Sequence, residues 1–271
     1  MSYIHNIDPV AFSIMGLQIR WYGISYVLAI LFSEYYIRYF SRKKYINVPS
    51  EFLESLSLYV VVGLMIGARL GYIILFDNLD YYLQNPIKIL KINEGGLAFH
   101  GGIIGGLLGA YLSFHKYKKN VGLNFLNILD LILLSLPFGI FFGRIANFIN
   151  GELFGKYTDL SIGVVFMEND SPRHPSQLYE AMTEGLALFV ILNLSAWIKD
   201  DISRKPGYIS FMFLTFYSIF RFFNEYFRDS EVIYLGLTMG QLLSVITFVL
   251  SFVFYFVLCK KTHTKSFEIN T

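Results

Sequence analysis

The chain has 271 residues, of which 55% are apolar, 18% aromatic and only 15% charged. Soluble domains carry about 25% charged residues, so this deficit, with a mean hydropathy of +0.50, describes a chain whose main solvent is lipid. A net charge of +2 without a basic stripe leaves no footprint for a nucleic acid. A single cysteine, Cys259, excludes an internal disulfide and any cysteine-built metal site, and its sequence neighbours offer no cue of an activated thiol.

A membrane span needs roughly 20 mainly apolar residues. In chain order the qualifying stretches are about 17–40, 52–76, 97–114, 123–149, 176–198, 207–227 and 237–259. The first follows a polar start that lacks a basic n-region and a small-residue cleavage site, so it reads as a span rather than a signal peptide. None of the runs alternates with the period of two that marks barrel strands. The expectation is an all-α integral membrane protein, one polytopic domain over 1–271 with about seven transmembrane helices. Loops 77–96 and 150–175 are long enough to form an extracytoplasmic cap.

Lysine and arginine accumulate on cytoplasmic loops. Arg42, Lys43, Lys44, Lys116, Lys118, Lys119, Lys199, Arg204, Lys205, Lys260, Lys261 and Lys265 fall on one side, against Arg20, Lys88, Lys91, Lys156, Arg173 and Arg228 on the other. The N-terminus is therefore expected outside and the C-terminus in the cytoplasm. Gly63, Gly67 and Gly71 in the second span, and Gly101, Gly105 and Gly109 in the third, recur every fourth residue, which favours close helix packing in lipid. Arg69 lies about 200° around the helix from Gly67 and points away from that seam.

A charge inside hydrocarbon costs at least about 2.5–3.5 kcal/mol, so each needs a reason. With this orientation Tyr22, Arg69, His100, Arg144, Asn147, Asn150, Glu152, His174, Gln177, Glu180, Glu184, Arg221, Glu225 and Arg228 all sort to the outer end of their spans. Arg221 and Glu225 are i,i+4 and Arg228 lies a turn further, so the three share a face; a mutually neutralising pair there is as reasonable as a site. Arg144 has no carboxylate at helical spacing in its own span, which leaves it open to an external anion unless Glu152 folds back. Arginines at headgroup depth suit a phosphate, which a guanidinium grips bidentately. His100 stands among Gly95, Gly96, Gly101 and Gly102, where missing side chains permit close approach by a ligand.

These residues, in this order, resemble the prolipoprotein diacylglyceryl transferase family. The resemblance is carried by GRIANFINGELFG (143–155), GGLAFHGGIIGG (95–106), HPSQLYEA (174–181), RFFNEYFR (221–228), RWYG (20–23) and GARLGY (67–72), across nearly the whole chain. Ala146, where the family commonly has glycine, and the bulky stretch Ile209–Ser218 depart from the pattern without touching polar positions. The resemblance implies a bacterial inner-membrane enzyme that moves the diacylglyceryl group of phosphatidylglycerol to the lipobox cysteine of a prolipoprotein signal peptide. A thioether forms and glycerol phosphate leaves, with no cofactor and no metal.

On that reading Arg144 and Arg221 stabilise the leaving phosphate, with Arg69 a weaker candidate, and His100 is the candidate base for the thiol, with Glu152 or Glu225 as alternatives or orienting groups. Tyr22, Asn147 and Asn150 serve the headgroup hydroxyls, and Gly155 permits a tight turn beside the lipid. The chain has no G-x-S-x-G elbow and no H-E-x-x-H metal motif. The alternative is an anion or lipid-headgroup transporter using the same cluster. It should carry charge through the full depth, whereas the cytoplasmic halves of the spans are expected to hold only the marginal Arg38.

Overall fold

The computed structural model describes residues 3–14, 16–44, 46–75, 77, 79–91, 95–199 and 205–259. Arg204, Lys260, Lys261, Lys265 and the side chains of Lys199 and Cys259, used above, lie outside the described residues, as do residues 78 and 92–94 of the first proposed cap segment. The chain divides into two compact units, Met1–Ile37 with Leu129–Thr271, and Arg38–Ile128.

A helix occupies each apolar stretch read from the sequence: α1 (Trp21–Lys43), α2 (Ser50–Leu75), a short α3 (Leu79–Gln84), α4 (Phe99–Tyr117), α5 (Phe125–Ile149), α6 (Ser176–Glu180) running through a π-type segment (Ala181–Ala187) into α7 (Leu188–Lys199), α8 (Tyr208–Asn224) and α9 (Met239–Phe254). Four of these runs are long and apolar enough to cross a membrane by length and composition: Ser50–Leu75, Phe125–Ile149, Ser176–Ile198 and Met239–Val257.

The chain is mostly rather than wholly helical. Among the described residues three two-stranded sheets join it: β1 (Tyr3–Ile4) parallel to β4 (Val164–Val165), β2 (Val10–Ile14) antiparallel to β3 (Leu17–Arg20), and β5 (Val232–Tyr234) antiparallel to β6 (Leu237–Thr238). Two expected helix starts are thereby corrected. Leu17–Arg20 is spent pairing with Val10–Ile14, so α1 begins at Trp21. Leu237–Thr238 pairs across a turn in which Leu235 and Gly236 have φ of 51° and 75°, so α9 begins at Met239.

In the Arg38–Ile128 unit, α2 and α4 meet through the two glycine series. A Cβ on Gly105 would lie 2.1 Å from the carbonyl oxygen of Gly63, and one on Gly67 2.3 Å from that of Gly101. Backbone thus packs on backbone, the arrangement that small residues permit in lipid. Buried Ser55 and Ser113 hydrogen-bond across the same seam at 3.1 Å. The helices' outer faces carry exposed Leu64, Ile66, Leu70, Ile104, Leu108 and Leu112, which suits a lipid surround.

In the other unit, Phe32 of α1 stacks on Phe138 of α5 with ring centroids 3.5 Å apart, and α8 meets α9 through Thr215 and Ser251 at 2.9 Å. Asp130, fully buried near the start of α5, accepts hydrogen bonds from the Gly207 N–H (2.7 Å), the Ser210 N–H (2.8 Å) and the Ser210 hydroxyl (2.6 Å). It thereby caps the first turn of α8, whose N–H groups have no helical acceptor. The expectation that the far halves of the spans hold only Arg38 is therefore corrected: Glu34 lies one turn from Arg38 in α1, and Asp130, about 21 Å along α5 from Arg144, is spent as a cap.

Candidate active site

The polar ends of α5, the Ser176–Ile198 helix, α8 and α9 come together in one unit. What lets α5 approach so closely is Gly185, where a Cβ would fall 2.7 Å from Phe141 Cα. That contact sets Arg144 of α5 against Glu180 and Glu184, which straddle the start of the π-type segment, a widening often found at functional sites.

Glu180 is the hub. Its fully buried carboxylate lies 2.8 Å from Arg144 Nε, 3.2 Å from Arg221 Nη1 and 2.8 Å from Arg228 Nη1. Glu184 adds Arg144 Nη2 at 3.4 Å, Arg221 Nη1 at 3.8 Å and an Asn224 amide donor at 3.1 Å. Glu225 closes the ring from α8, 2.8 Å from Arg221 Nη2 and 3.6 Å from Arg228 Nε. It also accepts from the Thr238 hydroxyl at 3.1 Å. That hydroxyl accepts in turn from the Gln241 N–H as the N-cap of α9. Gly240 makes room, since a Cβ there would sit 2.5 Å from the Glu225 carboxyl carbon. Buried charges persist only when paired and hydrogen-bonded, and here Arg144, Arg221 and Arg228 are balanced by Glu180, Glu184 and Glu225.

One turn further along α5 lies a second polar layer. The Asn147 amide donates to Glu152 Oε1 at 2.7 Å and the Asn150 amide to the same oxygen at 3.4 Å. Gln177, one turn before Glu180, donates to the Glu152 carbonyl at 2.7 Å, and the Ser176 hydroxyl to the Leu153 carbonyl at 3.1 Å. Tyr22 accepts a 3.3 Å hydrogen bond from Tyr26 one turn along α1.

The 150–175 loop is held by Arg173, which bonds Asp170 (2.8 Å), Asp229 (2.8 Å) and the Tyr157 hydroxyl (2.6 Å) and stacks 3.8 Å above the Tyr157 ring. The Arg173 hydrogen bond holds the Asp170 carboxyl below its usual range. Beside it His174 contacts the Tyr179 hydroxyl at 3.1 Å, and burial pushes its imidazole below the ordinary histidine value. Gly155 accepts from Arg173 and lies where a Cβ would meet the Phe227 carbonyl at 2.2 Å. Close chain packing therefore requires this glycine.

The family profile described as prolipoprotein diacylglyceryl transferase matches residues 9–257. The chain is 46% identical to the phosphatidylglycerol–prolipoprotein diacylglyceryl transferase of Rickettsia bellii over 245 residues, 89% of this chain and 91% of that protein. It is 47% identical to the protein of that name from Rickettsia rickettsii, over 89% of this chain and 92% of the relative. The Rickettsia typhi relative of that name is 45% identical over 88% and 92%.

The chain belongs to the prolipoprotein diacylglyceryl transferase family.

For a member of this family the sequence-read residues divide by unit. Arg144, Arg221 and Glu225 meet in the arginine–glutamate cage; Asn147, Asn150 and Glu152 form the adjoining layer; Tyr22 and Gly155 belong to the same unit. His100 and Arg69 belong to the Arg38–Ile128 unit. His100 is exposed in the first turn of α4, against the Phe99 ring.

The buried Arg69 donates to the carbonyls of Lys88 (2.6 Å), Ile89 (3.0 Å), Gly95 (2.8 Å) and Gly96 (3.1 Å), so its guanidinium ties down the segment that precedes α4. Arg144, expected open for want of a carboxylate in its own span, is instead paired with two from the next membrane helix. Glu152 folds back onto Asn147 and Asn150. Glu180, Glu184, Gln177 and Arg228 were legible as polar groups at the right end of their helices, yet only Gln177, Glu180 and Arg228 fall in the HPSQLYEA and RFFNEYFR blocks that hinted at roles. Asn224 lies in the RFFNEYFR block without being singled out, and Thr238 and Gly240 gave no signal.

Proposed function

We propose that this chain transfers the diacylglyceryl group of phosphatidylglycerol to the lipobox cysteine of a prolipoprotein, as the names of its relatives state of them. The observation that carries the chemistry is the buried gathering of Arg144, Arg221 and Arg228 on Glu180. The peptide sulfur attacks the terminal glyceryl carbon of the lipid. As the carbon–sulfur bond forms, the carbon–oxygen bond to phosphate breaks, its electron pair stays on the phosphate oxygen, and the thiol proton passes to a base.

Charge thus develops on a phosphate oxygen, and preorganised cations in a site screened from water stabilise it best. Arg144 and Arg221 take this role, while Glu180 and Glu184 hold their guanidiniums in place before the lipid arrives. An incoming phosphate competes with carboxylates for N–H donors, so binding exchanges one set of charge-assisted bonds for another. His100 is the proposed thiol base, since histidine accepts protons near neutral pH, with Glu152 the alternative. Asn147, Asn150 and Tyr22 serve the headgroup. Arg69, its donors engaged by backbone, takes the part of a loop anchor. Asp130 is consumed in capping α8 and so is not itself a second charged station for the transport alternative.

We further propose seven spans, the N-terminus and site facing the extracytoplasmic leaflet of the inner membrane, and residues 77–96 and 150–175 as its cap. The charge asymmetry of the loops supports this.

The deciding experiment follows labelled glycerol phosphate released from phosphatidylglycerol by purified protein and a lipobox-cysteine peptide. Release should depend on the peptide and fall at least a hundredfold in Arg144→Ala, the usual scale for losing one preorganised donor. Peptide-dependent release that survives the substitution would move the phosphate clamp to Arg221 and Arg228.

A further inference from the structure

Gln177 is fully buried, and the orientation of its amide is fixed by its surroundings. The Glu152 carbonyl can only accept, so the nitrogen that meets it at 2.7 Å is Nε2 and the oxygen faces elsewhere. That oxygen has no hydrogen-bond partner among the described residues. Asn150 repeats the pattern: its Nδ2 donates to the Glu152 carboxylate at 3.4 Å, and its buried Oδ1 has no partner among the described residues. The remaining amide of the layer, Asn147 Nδ2, is spent on Glu152 at 2.7 Å. In the layer one turn from the cage each of these amides thus places an N–H on Glu152, and two buried amide acceptors stay unmatched among the described residues. Buried acceptors of this kind are costly unless a donor meets them.

We infer that Gln177 is a specificity-determining residue of the headgroup subsite, accepting a hydrogen bond from a hydroxyl of a polyol headgroup, with Asn150 beside it. The inference rests on the diacylglyceryl-transfer reading. Its chemistry follows from the two layers taken together. Guanidiniums of the cage suit an anion, whereas two unmatched acceptors beside a carboxylate disfavour one and match O–H donors. A glycerol phosphate headgroup carries both features in that order. Gln177 touches only the portion that leaves, so it acts on recognition and not on the bond that breaks.

The test compares phosphatidylglycerol with phosphatidylpropanol, whose headgroup has the same carbon count and no hydroxyl. The KM for phosphatidylglycerol in peptide lipidation is measured alongside the inhibition constant of phosphatidylpropanol, in the native chain and in Gln177→Met. Methionine keeps the length and removes the acceptor. The expected result is a KM raised about tenfold, the equivalent of roughly one hydrogen bond, with the phosphatidylpropanol constant unchanged within about twofold. That unchanged constant also shows that the variant is folded.

Equal weakening toward both lipids would mean that Gln177 only tethers Glu152, and would overturn the inference, as would an unchanged KM. Should Gln177→Met fail to fold, Gln177→Leu, an apolar side chain that also lacks the acceptor, should give the same rise in KM with the phosphatidylpropanol constant unchanged. A native KM there would count against the inference. Absence of transfer by the native chain would instead defeat the transferase reading itself.

Discussion

Glu180 illustrates which residues a sequence exposes and which it hides. Arg221 and Glu225 are legible as a pair because i,i+4 spacing places them on one helix face, and they do meet at 2.8 Å. The partners of Arg144 were not legible, because they come from a helix more than thirty residues onward and depend on how Gly185 lets two backbones meet. Local spacing records what a helix does to its own residues; it carries no register between helices.

His174 shows the same limit in its titration. Its position beside Tyr179 and Phe227 partly buries the ring, and that burial depresses its pKa. The folded state then binds fewer protons than the unfolded state wherever the unfolded imidazole is charged, so stability must fall as pH drops through about 6.5 and keep falling until the folded ring protonates. The apparent melting temperature of the native protein should decline between about pH 7 and pH 5. In His174→Gln, which has no imidazole to charge, this part of the decline should flatten. An identical slope in both proteins would place the acid sensitivity elsewhere.

At the level of elements, the helices were readable because lipid imposes a simple demand: every backbone group must be satisfied internally over an apolar run. The glycine series were readable as packing for the same reason. Hairpins at helix entrances were not, since apolar residues such as Leu17 and Leu237 continue the hydrophobic run whether they are paired as strand or wound as helix. The seam of α2 and α4 offers a sharp contrast between neighbours. A Cβ on Gly105 would overlap the Gly63 carbonyl at 2.1 Å, and both partners are backbone, so neither yields without the helices separating. A Cβ on Gly106 would meet Leu64 at 3.9 Å, an ordinary contact. Gly105→Ala should therefore destabilise by about 1–3 kcal/mol or more through overpacking. Gly106→Ala should be neutral or stabilising by up to about 1 kcal/mol through helix propensity. Thermal unfolding in detergent separates them, and equal behaviour would show that the seam can slide.

Across the whole molecule, the clustering of costly polar groups at one end of their helices was the feature most visible in the sequence. It was also the least complete, because it passed over Asp130. That omission matters physically. A buried carboxylate at the opposite end of α5 looks like a second station for a transported ion until its three hydrogen bonds to the start of α8 are seen. One-sidedness of the site then rests on the loops, whose lysines and arginines bias insertion because cytoplasmic positive charge resists translocation. This makes orientation measurable without any activity. Introduced in a Cys259→Ser background, Asp159→Cys in the 150–175 loop and Asn120→Cys after α4 both fall at exposed positions. A membrane-impermeant maleimide added to intact cells should label the first and reach the second only after the membrane is opened. The reverse pattern would turn the protein over, place the arginine–glutamate cage at the cytoplasmic leaflet, and leave a prolipoprotein's translocated cysteine without access to it.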